Sequence, residues 1–282
     1  MEFLDTALAT VVYLASCFVL FLVGKFVYQL FQRKINIKDE LVEKDNFAFA
    51  LAHTGYFVGL LLAIGSAIVG PSNGLAQDLI DIFIYGLLAI LLLNISIVIN
   101  DKLVLRKFHV YKEIVEDQNS GTGVVEAANA VATGLILMGA VSGEMGGIWS
   151  AIAFWALGQV LLLITAYVYN WITPYNIHAE IEKDNVAVGI GFAGALISIG
   201  NLIRFGLSGD FVSWTYTLET IGVDVLIGLL LLPVVRILTD KILLPGRNLT
   251  DEIVNQEKPN IGAALIEAFA YIGGSVLITW SL

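Results

Sequence analysis

The chain has 282 residues, of which 57% are hydrophobic and 14% are charged, and its net charge is −10. Soluble globular domains carry about 25% charged residues, so this composition excludes an ordinary soluble protein. Cys17 is the only cysteine, which excludes an intramolecular disulfide and a thiolate metal cluster. We therefore expect an all-α, polytopic membrane helix bundle with the lipid bilayer as its partner and with no cofactor, metal or nucleic acid.

Eight apolar blocks follow one another along the chain. Each is about as long as a helix that crosses the ~30 Å hydrocarbon core of a bilayer. The first block begins with acidic residues and continues too far for a cleaved signal peptide, so we expect it to be retained. The blocks run over 5–32, 47–70, 77–105, 121–142, 146–173, 186–206, 212–244 and 261–281.

The placement of positive charge predicts the orientation of these spans. Of the 15 Lys and Arg residues, 14 lie in or beside the segments that follow odd-numbered spans, and Arg204 is the exception. Cytoplasmic loops carry an excess of positive residues. The odd connections are therefore predicted to be cytoplasmic, with both termini on the outer side of the membrane.

The tetrapeptide EKDN occurs at 43–46 and again at 182–185 and marks an internal repeat. Aligned on this motif, NDKL at the end of the third span matches TDKI at the end of the seventh. The chain then divides into two four-span halves, 1–142 and 143–282. Because four is an even number, the halves are predicted to be parallel repeats with the same orientation.

A shorter repeat lies within each half, where an asparagine opens every even span. Its predicted role is to cap the helix, and the small residues two and four positions later are expected to let helix backbones approach. The acidic elbow segments before each asparagine are expected to lie on the inner membrane surface. The four asparagines are Asn46, Asn119, Asn185 and Asn260.

The EKDN motif with its small residues, the NDKL and TDKI span ends, and the length of the four-helix unit resemble a known family. This is the bacterial inner-membrane family called domain of unknown function 350, also catalogued as uncharacterised protein family 0719. The resemblance covers essentially the whole chain as two tandem copies. It implies a multi-pass protein of the bacterial inner (plasma) membrane, with both termini then on the periplasmic side, and it implies no substrate.

Ionisable residues inside the spans are costly in lipid and are therefore candidates for function. Seven residues after the repeated asparagines lie His53, Glu126, Phe192 and Glu267, about 10 Å into the membrane. Glu126 and Glu267 recur at the same place in both halves. We expect them to form a pair in the bundle interior that exchanges protons or holds a cation, with interhelical hydrogen bonding as the alternative.

Further polar residues accompany these acids. His53 is a candidate proton-relay partner of Glu126, and a packed histidine is the alternative. Asn129 follows Glu126 by three residues and shares its helix face, which makes it a candidate hydrogen-bond partner. Asp101 and Asp240 close the third and seventh spans, where we expect surface ion pairs with neighbouring basic residues.

Near the outer ends of the sixth and seventh spans, Arg204 is expected to pair with Glu219 or Asp224. The sequence contains no zinc-protease motif, P-loop, nucleophile elbow or cysteine cluster, so we expect no enzyme activity. Two functions remain. One is an ion- or proton-conducting, or proton-coupled small-solute, transport protein, and the other is a non-transporting scaffold that binds a partner. An ion, a small solute and a second copy of the chain are the candidate partners.

Overall fold

The computed structural model describes residues 2–69, 72–142, 147–209, 212–244 and 246–281. Across these ranges the chain is helical and without strands, and eight helices are long and apolar enough to cross a membrane. The predicted all-α polytopic architecture is thereby confirmed. The spanning helices are α1 (Glu2–Phe31), α2 (Phe47–Gly65), α3 (Leu75–Leu103), α4 (Ser120–Ser142), α5 (Gly147–Ile172), α6 (Val186–Leu207), α7 (Trp214–Leu238) and α8 (Ile261–Ser281).

Several span ends differ from the sequence prediction. Helix α2 ends at Gly65, where the Ser66 hydroxyl donates to the Ala63 carbonyl. Helix α3 begins at Leu75 after Gly74, whose φ of 99° favours glycine. Helix α7 continues as a π-helical turn, Thr239–Leu243. The ends predicted at 70 and 146, and the half boundary at 143, lie outside the described residues.

A short helical elbow precedes every even helix. The elbows comprise Asp39–Glu43, Lys112–Glu116, Ile177–Glu182 and Leu249–Ile253. Ile177 and Ile181 of the third elbow and Leu249 and Ile253 of the fourth are at most 1% exposed, and Ile114 of the second is 5% exposed. These apolar side chains therefore pack inside the protein, and the position of the elbows at the inner membrane surface stays a prediction.

The even helices α2, α4, α6 and α8 pack side by side in one continuous row. Small residues bring their backbones into contact, with Gly123 of α4 against Ala48 of α2 and Gly189 of α6 against Gly121 of α4. A Cβ atom at Gly123 or Gly189 would overlap the neighbouring backbone. The row therefore continues without interruption from the first half into the second.

The odd helices α1, α3, α5 and α7 flank this row and expose apolar side chains along their length. Trp149 and Trp214 lie at the end of the bundle opposite the elbows, as does Trp280 of α8, and Trp171 lies at the elbow end. All four are between 48% and 84% exposed. Exposed tryptophans at both ends are typical of a protein surrounded by a bilayer, because indole rings favour the membrane interface.

Candidate functional site: two buried acid clusters

All four repeated asparagines cap their helices. Each side-chain oxygen accepts a hydrogen bond from the backbone N–H three residues later, at 2.8–3.1 Å. These bonds satisfy a backbone donor that has no partner within the helix. The predicted caps are present at Asn46, Asn119, Asn185 and Asn260.

The first three asparagines also bind the elbow of the next unit. Their side-chain amides donate to elbow carbonyls that lie 62 to 68 residues further along the chain. This role could not be predicted from the sequence, because a bond between distant residues leaves no local pattern. The pairs are Asn46 with Ile114 at 2.8 Å, Asn119 with Ile181 at 2.7 Å, and Asn185 with Ile253 at 2.9 Å. All elbows therefore lie at one end of the bundle, as parallel repeats require.

The residues around each asparagine explain why Asp and Asn recur at the end of the repeated EKDN. Before the first three asparagines lie Asp45, Gln118 and Asp184, with φ values of 51°, 52° and 58°. Polar side chains such as Asp tolerate this left-handed conformation better than most. The turn directs the asparagine back onto its own elbow, where a glutamate accepts its amide at 2.8 Å in three units. These glutamates are Glu40, Glu113 and Glu252.

Burial also affects titratable groups in the elbows. It raises the pKa of the Glu113 carboxyl group, which is 5% exposed. His178 of the third elbow forms a 2.8 Å hydrogen bond with the Val104 carbonyl, and burial lowers the pKa of its imidazole. This bond connects the third elbow to the segment that follows α3, and so connects the two halves.

In the first half, Glu126 and Asp101 meet beside a small cavity. Glu126 of α4 is 7% exposed, and it lies together with Asp101, near the end of α3, in the wall of this cavity. Asn129 donates to Glu126 Oε1 at 3.3 Å, as their spacing predicts. The cavity has a volume of about 60 Å³, and both acids, Tyr28 and Gln32 lie in its wall. It is therefore polar on one side.

The described residues that line this cavity include no Lys, Arg or His. Ile97, one helical turn before Asp101, lies in its wall. Asp101 Oδ1 and Asn129 Oδ1 are buried and have no hydrogen-bond partner within the part of the chain that the structure describes. A cavity needs about 10–15 Å³ to hold one water, so this one can hold a few waters or a small cation beside the acids.

His53 does not join the acids. Its ring packs among aromatic side chains, with centroids 4.3 Å from Phe57, 4.9 Å from Tyr28 and 5.2 Å from Phe49. Its Nδ1 has no hydrogen-bond partner among the described residues. The proposed relay with Glu126 is therefore corrected to the alternative, a packed histidine.

In the second half, Glu267 forms a buried ion pair with Arg236. The Arg236 Nη1 to Glu267 Oε1 distance is 2.5 Å, and the two side chains are 11% and 0% exposed. The hydroxyl groups of Tyr169 and Tyr271 each donate to the same carboxylate oxygen at 3.4 Å. Arg236 also donates to Thr250 Oγ1 at 3.1 Å. The charge of Glu267 is thus neutralised by a cation that belongs to the chain.

The aspartates that close the odd spans do not form surface ion pairs. Asp240 Oδ1 accepts a 2.5 Å hydrogen bond from the backbone N–H of Leu249 at the start of the fourth elbow. Asp101 lies with Glu126 in the cavity wall, and none of the described ion pairs includes it. The expected pairs are therefore wrong, because Asp240 satisfies a buried N–H and Arg236 reaches across to Glu267.

The predicted outer ion pair is also absent from the described contacts. Arg204 Nε donates to Asn201 Oδ1 at 3.3 Å. Asp224 is 5% exposed and packs against Gly206 of α6, where its Oδ2 has no hydrogen-bond partner. Glu219 is exposed. Arg204 therefore satisfies a neighbour on its own helix and leaves both acids unpaired.

The two glutamates occupy equivalent positions but not one site. Every described contact of Glu126 lies in the first half, and every described contact of Glu267 lies in the second. The expectation of one pair shared between the halves is corrected, because each acid faces the preceding even helix of its own half. Within the described ranges, no three His, Cys, Asp or Glu side chains converge as metal ligands would.

Comparison with known proteins agrees with the repeat. A family model described as Domain of Unknown Function (DUF350) matches residues 2–141 and, a second time, residues 144–282. A UPF0719 transmembrane protein from Aquifex aeolicus (strain VF5) is 22% identical over 259 residues, which is 90% of this chain and 93% of that protein. No solved structure shows a significant match.

Proposed function

The chain belongs to the Domain of Unknown Function (DUF350) family, and we propose that it is a transport protein that exchanges protons at the Asp101–Glu126 pair. The observation that supports this proposal is the difference in counter-charge between the halves. Glu267 is paired with Arg236, whereas Glu126 meets a second carboxyl group beside a cavity. The first half therefore needs a mobile positive charge, and a proton is the smallest.

Two neighbouring carboxyl groups in a low-dielectric interior repel each other when both are ionised. A proton held between Asp101 and Glu126 removes that repulsion and can leave again through water in the cavity. The guanidinium group of Arg236 neutralises the Glu267 carboxylate in a similar way. It cannot leave, because it is part of the chain, and it stays charged at any physiological pH. Exchange is therefore assigned to the first half, and the second half is assigned a structural role.

The cavity supports access from the elbow side of the membrane. Its wall includes Val110, Tyr111 and Ile114, which belong to the second elbow and its approach. Tyr111 is 38% exposed, so this part of the wall reaches the surface of the molecule. We place the elbow side in the cytoplasm of a bacterial inner membrane, because 14 of the 15 Lys and Arg residues accompany the odd connections.

Reporter fusions at both termini test the orientation, and we expect signals only from reporters active outside the cytoplasm. A cytoplasmic signal from either terminus would refute it. Proton exchange is tested by reconstituting the protein in liposomes with an internal pH dye and imposing a membrane potential.

In the liposome assay we expect proton flux from the wild type and its loss in Glu126→Gln and in Asp101→Asn. These substitutions keep the shape of the side chain and remove its titration. Asp224→Asn is the matched control, because it removes another buried membrane carboxyl group that lies outside the cavity. Wild-type flux in both cavity variants would exclude the proposed site.

A second candidate function is a non-transporting scaffold. The observation in its favour is the backbone contact along the row of even helices, which continues across the boundary between the halves, where Gly189 packs against Gly121 and Gly200 against Ala132. A scaffold predicts that wild-type liposomes conduct no more protons than protein-free liposomes under any imposed gradient. The same flux assay therefore distinguishes the two candidates.

A further inference from the structure

The junctions within the row of even helices repeat one set of contacts. At each junction an asparagine amide of one unit donates to the elbow carbonyl of the next. The helices also meet at corresponding positions. The residue four positions after the asparagine of one even helix packs on the residue two positions after the asparagine of the preceding even helix. Gly123 contacts Ala48 in this way, and Gly189 contacts Gly121.

The last unit presents one half of this junction without a partner from its own chain. Asn260 is exposed and donates to Glu252, and within the described residues no elbow carbonyl meets its amide. Gly262, two residues later, has open space around it apart from the Asn260 side chain. This surface of α8 has the chemistry of the internal junctions but faces outwards.

The first unit presents the complementary half. By position, Leu41 corresponds to Ile114, Ile181 and Ile253, whose carbonyls accept the asparagine amides. Leu41 is 37% exposed, and within the described residues no asparagine amide donates to its carbonyl. Ala50 occupies the position of Gly123 and Gly189 and is only half-buried.

Deeper in the membrane, the two outer faces combine large with small residues. Internal junctions place Gly59 against Gly134 and Ala132 against Gly200. The equivalent outer positions are Gly273, which contacts no neighbouring helix, and Leu61, which is 58% exposed. The exposed Leu61 side chain on the α2 face thus corresponds in position to the open space beside Gly273 on the α8 face.

At a second level, both outer faces carry residues that are larger than those of the internal junctions. Internal junctions place Gly55 against Ala127 and Gly194 against Ala268. The equivalent outer residues are Phe269, which is 66% exposed, and the exposed Thr54. Two copies in contact through these outer faces would therefore lie further apart at this level than neighbouring even helices do within the chain.

We propose that the chain associates head to tail with a second copy of itself, with the outer face of α8 in one copy packed against the outer face of α2 in the next. Asn260 of one copy donates to the Leu41 carbonyl of the other, and Gly262 receives Ala50. The two contacting surfaces are different, so the interface is heterologous and generates a ring or an open row in the membrane plane.

Disulfide cross-linking in native membranes tests this contact. Cys17→Ser removes the only native thiol. Chains carrying Gly262→Cys and chains carrying Ala50→Cys are then produced together and oxidised. We expect a cross-linked dimer from the mixture and no such dimer from either variant alone. Phe31→Cys replaces Ala50→Cys as the control, because Phe31 is 41% exposed and belongs to the elbow end of α1 and not to the proposed α2 surface.

Cross-linking of Gly262→Cys with itself would indicate a two-fold dimer and would overturn the proposal. A yield no higher than that of the Phe31→Cys control would also overturn it. Asn260→Ala, added to the Gly262→Cys chain, should lower the yield about fivefold through the lost hydrogen bond. An unchanged yield, with the helix content of the variant confirmed by circular dichroism, would exclude the Asn260–Leu41 contact.

Discussion

The acid clusters of the two halves show how duplicated positions acquire different chemistry. Glu126 and Glu267 both lie seven residues after a helix-capping asparagine. Glu267 has Arg236 as a counter-ion, whereas Ile97 takes the position of Arg236 in the first half and leaves Glu126 with Asp101. The choice of arginine or isoleucine at this one position thus distinguishes an acid with a permanent counter-ion from an acid that we propose takes up a proton or cation.

This difference identifies the second half as an internal control for the first. The helices, the elbow and the glutamate are equivalent, so an effect confined to Glu126 cannot come from burial of a carboxyl group alone. The following variants remove, exchange or isolate the counter-charge, in order of decreasing expected effect.

The largest effect is expected from Arg236→Met. Glu267 would remain fully buried without its counter-ion, and breaking a buried pair from one side costs about 3–5 kcal/mol of unfolding free energy. Denaturant titration of the purified protein in detergent measures the change. The double variant Arg236→Met, Glu267→Leu should recover most of the loss, and a double variant as unstable as the single one would contradict this account.

The same substitution at the two glutamates should give different stabilities. Glu267→Gln leaves the Arg236 charge buried and should cost about 2–4 kcal/mol. Glu126→Gln leaves no unpaired cation and should cost less than about 1 kcal/mol. Parallel unfolding curves test the difference, and equal losses would mean that Arg236 is not the distinguishing feature.

Ile97→Arg should convert the first cluster into a copy of the second. The new guanidinium group would lie in the cavity wall one turn from Asp101 and would neutralise the acids permanently. We expect proton flux in liposomes to fall to the level of Glu126→Gln. Ile97→Met controls for the change of volume and should retain flux, whereas retained flux in the arginine variant would contradict the proposed exchange.

The smallest effect is expected from Glu113 in the second elbow. It separates the titration of this elbow carboxyl group from the titration of the two acids in the cavity. Burial raises the folded-state pKa of Glu113, so its contribution to stability is present below the unfolded pKa of about 4.3 and is lost as pH rises through the folded pKa. Glu113→Gln should remove that pH dependence from the unfolding midpoint. Glu116→Gln on the exposed side of the same elbow should leave it unchanged.

Local signals account for what the sequence predicted well. The apolar blocks predicted eight spans because a lipid environment requires continuous helices of this length. The asparagine caps were predictable because an Asn at a helix start needs only a backbone N–H three residues away. Both features depend on residues that are close together in the chain.

Contacts between distant residues account for what was missed. Arg236 lies four residues before Asp240, which favoured that pair in the sequence, but it binds Glu267, which is 31 residues away on α8. The pairing of Asp101 with Glu126 likewise depends on how α3 packs on α4. The sequence identified most of the charged residues in the clusters but not which of them meet.

The glycine contacts of the even helices also limit how the molecule can move. Sliding α4 or α6 along its neighbour by one residue would bring a side chain to a point where a Cβ atom cannot fit. Shear within the row is thereby blocked. Helix α1 is held loosely, because only 17% of its most apolar stretch of residues is buried, and its Tyr28 lies in the cavity wall. We therefore expect any opening of the cavity to come from displacement of α1, α3 or the second elbow against the row of even helices.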